Sequence, residues 1–69
     1  MEKTFDVVFH DSQSSNRKGF SESLEYCQSY IQRHNGTNES YFPDYAGGVV
    51  LIVCNEGSDI VEQHNILNK

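Results

Sequence analysis

The segment from Gly48 to Val61 constrains this chain most. Val49 to Cys54 (Val-Val-Leu-Ile-Val-Cys) is an unbroken apolar run rich in β-branched residues, and Asn55-Glu56-Gly57 follows it before Ile60-Val61. A run of that length, closed by a Gly-containing turn, predicts a buried strand entering a β-hairpin. It is apolar on both faces, so the fold must be built around it. Asn55-Glu56-Gly57 suits a type I turn with Gly57 in the left-handed bulge position. The returning strand, Asp59 to Ile66, is more polar, as befits a sheet edge.

Other segments supply partners for that strand. Thr4 to His10 alternates, with Phe5, Val7 and Phe9 on one face, which is the period of a half-buried strand. Asp11 to Asn16 is polar and turn-rich, so the chain leaves the sheet there. Arg17-Lys18-Gly19-Phe20 is either a short additional strand or an approach to a helix. Phe20, Leu24, Cys27, Ile31 and His34 recur at helical spacing, predicting a helix over 22–34 with Ser21 as N-cap. Arg33 and His34 suit its last turn, and Asn35-Gly36 supplies a left-handed stop. Residues 37–47 form a loop carrying Tyr41, Phe42 and Tyr45. Gly47-Gly48 marks a point where a side chain would collide with the helix.

These elements predict a single small α+β domain spanning 1–69. Its expected architecture is two-layered, one helix on a three- or four-stranded antiparallel or mixed sheet, in the order β-α-β-β. Sixty-nine residues imply a radius of gyration of roughly 11 Å. One core of that size supplies about 3–5 kcal/mol of net stability.

Charge narrows the classes of partner. The formal net charge is −5, and residues 35–69 hold five carboxylates against the single base Lys69. Such a surface repels phosphate backbones and anionic lipid, which argues against general nucleic-acid or membrane binding. No apolar run approaches the roughly 20 residues of a membrane span. Met1-Glu2-Lys3 runs straight into a strand without an apolar leader, so the expected location is cytoplasmic and the two cysteines are expected to be free thiols.

No motif carries chemistry. Cys27 falls on the apolar helix stripe and behaves as a small hydrophobe. Cys54 ends the buried strand beside an acidic turn. Two hairpin registers place His64 opposite Val49 or Gly48, far from Cys54, so a Cys-His pair is geometrically poor. His10, His34 and His64 with the two cysteines lack the close spacing of a zinc site, so neither metal nor cofactor is expected. Asp6 and Glu62 face each other only under one strand order. The serines at 12–15 lack a nucleophile elbow, and Asn55-Glu56-Gly57 is no phosphate loop. Two glycosylation sequons, at Asn35 and Asn38, carry no weight without a secretory leader.

Lys18-Gly19-Phe20, Glu25-Tyr26, Tyr41-Phe42, Asp44-Tyr45, Gly47-Gly48-Val49 and Val53-Cys54-Asn55-Glu56 together resemble short proteins of gut-type anaerobic bacteria, some borne on mobile elements, to which no activity is assigned. The resemblance implies a bacterial cytoplasmic protein and brings no catalytic residues with it.

The leading expectation is a non-enzymatic binding or regulatory protein whose partner is another protein or a second copy of the chain. Its expected surface combines the aromatic loop, Tyr41 and Tyr45, with the return strand, Asp59, Glu62 and His64. Phe42 is expected to cap the core. One alternative is an acidic nucleic-acid mimic using Glu39, Asp44, Glu56, Asp59 and Glu62. Another is a small enzyme using Cys54 or a histidine.

Overall fold

The computed structural model describes residues 3–57 and 59–67. The chain forms β1 (Phe5–His10), β2 (Ser15–Glu22), α1 (Leu24–His34), β3 (Val49–Cys54) and β4 (Ile60–Asn65). All neighbours are antiparallel, in the sheet order β2-β1-β3-β4. One helix thus packs on a four-stranded antiparallel sheet, an α+β architecture. The Cα radius of gyration is 11.3 Å.

The element order is β-β-α-β-β, which corrects the expected β-α-β-β. Residues 11–16 do not leave the sheet; they turn it back on itself. Asp11 Oδ1 accepts the N–H groups of Gln13 at 2.8 Å and Ser14 at 2.9 Å, while Asp11 N–H donates to Ser14 O at 3.0 Å. The side chain here does the work of a backbone turn. Those two N–H groups also hold the Asp11 carboxyl below its ordinary pKa. The returning β2 is a full eight-residue strand. As an edge strand it has one neighbour and half of its surface in solvent, so its polar sequence is physically consistent.

Near its end β2 bulges. The register with β1 slips between Phe5 and Val7, and Ser21 adopts φ 53°. That consumes Ser21, so the helix cap moves to Ser23, whose Oγ accepts from Tyr26 N–H at 3.1 Å, and the helix begins at Leu24 rather than 22. Glu22 belongs to the strand. Cys27 and Ile31 are the buried positions of α1, which ends at His34; Asn35 caps it in an extended conformation, its N–H donating to Ile31 O, and the left-handed residue is Gly36, φ 85°.

The core lies between α1, the 35–48 loop and one face of the sheet, the face that carries Val7, Phe9, Val50 and Ile52. Phe9 is its hub: Phe42 meets it edge-on with ring centroids 4.9 Å apart, and Tyr45 stacks at 6.1 Å. Gly48 lets the loop join β3, because a Cβ there would lie 2.4 Å from His10 O. The obstruction is therefore the backbone of β1 and not the helix. In the β3–β4 turn Gly57 takes φ 90°, the left-handed conformation its position requires.

Candidate functional site: a groove beside the sheet edge

Alternation along the strands sorts the side chains into two sets. Phe9, Val50 and His64 are successive cross-strand partners, as are Val7, Ile52 and Glu62. Glu62 and His64 therefore project to the helix side of the sheet. The helix packs over β1 and β3 and leaves β4 uncovered, so a groove of about 480 Å³ opens between α1 and β4. Ile31 and Leu67 give it apolar walls; Gln28, Gln32, Asn35, Glu62 and His64 supply polar groups.

The polar groups form a connected network. Glu62 Oε1 lies 2.9 Å from His64 Nε2, and Glu62 Oε2 accepts from the Gln28 amide. Those hydrogen bonds, Gln28's first and then His64's, hold the Glu62 carboxyl below its ordinary pKa. Glu62 is thus an ionised acceptor at neutral pH.

Asn35 closes one end of the groove in a particular way. Its Nδ2 donates to Asn65 O at 2.9 Å, and its Oδ1 accepts from Leu67 N–H at 2.8 Å. This is the bonding that a neighbouring strand would offer. Because Ile66 N–H turns inward to Gly48 O at 2.9 Å, residues 65 and 67 present their backbone groups outward, and so does Gln63. The Asn35 side chain therefore starts a fifth ladder on β4 that no strand among the described residues continues.

The five residues expected to form one surface fall in four separate places. Glu62 and His64 meet in the groove. Asp59 is exposed at the far end of β4, where Lys3, Phe5, Cys54, Glu56 and Val61 join it around a shallow depression of about 300 Å³. Tyr41 lies toward the opposite edge of the sheet, with Lys18 Nζ of β2 5.7 Å from its ring centroid. Tyr45 does not belong to a surface at all: it is 5% exposed, and its hydroxyl sits 3.1 Å from Ser14 Oγ and accepts from Asn16 Nδ2 at 2.9 Å. A tyrosine whose ring stacks on Phe9 and whose hydroxyl is satisfied by the β1–β2 hairpin is a core residue with a polar tip. Phe42, 1% exposed, caps the core as expected.

His64 pairs with Val50, one position from the expected register, because the β3–β4 ladder slips between Ile52 and Val53. Four residues, roughly 13 Å at strand rise, still separate it along the sheet from the row of Cys54. Both cysteines are free and buried. Cys27 donates its S–H to Phe5 O at 3.6 Å, and burial pushes its thiol up to about 11. Asp6 and Glu62 lie on opposite faces with β3 between them. Of the five carboxylates of the mimic reading, Glu39 and Asp44 precede β3 in the chain and Glu56, Asp59 and Glu62 follow it. Among the described residues no three potential ligands cluster to hold a metal ion, and no helix is long and apolar enough to cross a membrane.

The chain matches no protein-family model, no curated protein and no solved structure. Gln28 and Asn35 escape sequence reasoning because they lie about thirty residues from their partners, and only the packing angle of α1 brings them to β4.

Proposed function

We propose that this is a protein-interaction module that captures an extended segment of a partner on the outer edge of β4. The segment adds as a fifth antiparallel or parallel strand, continuing the ladder that Asn35 begins, and one of its side chains drops into the groove beside α1. Main-chain bonding at an open edge supplies affinity, and the pocket supplies selectivity. With Glu62 ionised and the walls apolar, the preferred occupant is a residue with an aliphatic stem and a cationic tip, Lys or Arg, whose shape suits both surfaces. The observation that carries this reading is the strand-like bonding of the Asn35 amide next to the outward-directed backbone groups of Gln63.

A displayed library of random twelve-residue peptides tests it. Enriched peptides are expected to carry Lys or Arg flanked by β-formers. Gln63→Pro removes one outward N–H while sparing the β3–β4 ladder, since proline is tolerated on an edge strand. It should keep the circular dichroism spectrum and weaken captured peptides by at least about tenfold, the equivalent of roughly 1.4 kcal/mol. An absence of enriched peptides, or equal affinity in Gln63→Pro, would contradict the proposal.

A further inference from the structure

The side of the sheet turned away from α1 is also apolar. Val8 and Leu51 are cross-strand neighbours there, His10 pairs with Val49, and Val53 pairs with Ile60. Val49, Leu51 and Val53 line the middle strand; Val8, Val49 and Leu51 are only half-buried, and Ile60 is 59% exposed. The core aromatics of the 35–48 loop and the helix all pack on the other face. Val53, at 4% exposure, is already buried beside Asp6, so what this face leaves partly in solvent, as far as the described residues cover it, is Val8, Val49, Leu51 and Ile60.

We propose that a second copy of this chain covers that face, sheet against sheet, about a two-fold axis near Leu51. Charge singles out this occupant. The chain carries −5 overall, yet the ionised side chains that the register places on this face are Asp6 and Arg17, which neutralise each other at 2.7 Å. The remaining strand positions at its margin are His10, Ser15, Gln63 and Asn65. Glu22 and Glu62 fall on the helix side by the same register. Among the described residues a basic partner finds no carboxylate here beyond the one already held by Arg17, whereas an identical neutral face meets no repulsion. Area agrees. Four strands about 4.8 Å apart and six to eight residues long give a face of roughly 20 by 20–25 Å. Two such faces bury roughly 800–1,000 Å² in total, the size of a weak interface, which suits a dimer that dissociates on dilution. Two sheets stacked about 10 Å apart bury their facing rows against one another, and a two-fold contact is self-complementary by construction.

Sedimentation equilibrium between about 10 μM and 1 mM should show a monomer–dimer equilibrium for the intact chain. Leu51→Glu brings two carboxylates together on the axis and should raise the dissociation constant by at least about 100-fold, since like charges at an interface cost several kcal/mol. His64→Ala, in the groove on the other side, should leave it unchanged, so failure of the dimer and failure of peptide capture are read separately. Methyl chemical shifts of the intact chain over the same dilution provide a reading independent of any variant. Shifts at Val8, Val49, Leu51 and Ile60 support the proposal. A monomer at 1 mM, a dimer indifferent to Leu51→Glu, or dilution shifts confined to the β4 edge would overturn it.

Discussion

Val50 and Ile52 have no exposed surface, while Val49 and Leu51, each one residue away on the same strand, keep part of theirs in solvent. The two sets are chemically alike. What separates them is the direction of each side chain: one face of the sheet meets α1 and the aromatic loop, and the other, around Val49 and Leu51, meets no further element among the described residues. On the covered face, stability comes from close packing around Phe9. On the open face the fixed feature is polar, the Asp6 cluster. Asp6 is 2% exposed and accepts from Arg17 Nη2 at 2.7 Å, Arg17 Nε at 2.9 Å, Ser21 N–H at 2.9 Å and Asn55 Nδ2 at 3.1 Å. It joins β1 to the bulge of β2 and to the turn after β3. An apolar run therefore does not by itself mean core; the same strand buries Val50 and Ile52 completely and keeps Val49 and Leu51 partly exposed.

The largest difference between the faces should come from Ile52→Ala. Removing a fully buried aliphatic side chain costs about 2–5 kcal/mol, comparable to the whole stability of a domain this size, so urea unfolding should find the variant largely unfolded.

Asp6→Asn comes next, at about 2 kcal/mol, because it removes the charge that four donors address. Burial alone would raise the Asp6 pKa, but the Ser21 N–H, then the hydrogen bonds from Arg17 and Asn55, outweigh it and lower the value. A lowered folded-state pKa contributes stability that is present above the unfolded value, near pH 4, and is lost as pH falls through the folded one. Wild type should lose stability on acidification below about pH 4, and Asp6→Asn should lose less over that range; equal slopes would remove this assignment. Asp11 and Glu62, whose pKa values are also lowered, keep the variant's slope from vanishing.

Leu51→Ala should have the smallest effect, below about 1 kcal/mol in dilute protein, where its partly solvated side chain gives up little transfer energy. A loss as large as that of Ile52→Ala would mean that the open face is covered within the monomer.

Much of the architecture was legible in the sequence, and the reasons differ by element. The β3–β4 hairpin and α1 announce themselves through an apolar run, a glycine at the turn and a stripe at helical spacing. Strand β2 does not, since an edge strand with Phe20 as its only large apolar residue resembles a loop. Ser21 looked like a helix cap because the bulge that uses it depends on the Asp6 carboxylate, which is fifteen residues away. Tyr45 looked available for contact because its hydrogen-bond partners, Ser14 and Asn16, lie in the distant β1–β2 hairpin. Of the groove, Glu62 and His64 were readable as return-strand polar residues. Their network was not, because Gln28 and Asn35 reach β4 only after the helix docks.

The division between a folding face and an assembling face is tested most directly by the urea midpoint measured as a function of protein concentration. A dimer that forms only from folded chains raises the midpoint by mass action. The midpoint of the intact chain should therefore climb between about 10 μM and 1 mM, the concentration range in which a weak dimer dissociates on dilution, and that of Leu51→Glu should stay flat. A flat midpoint in the intact chain, or an equal climb in Leu51→Glu, would contradict the account.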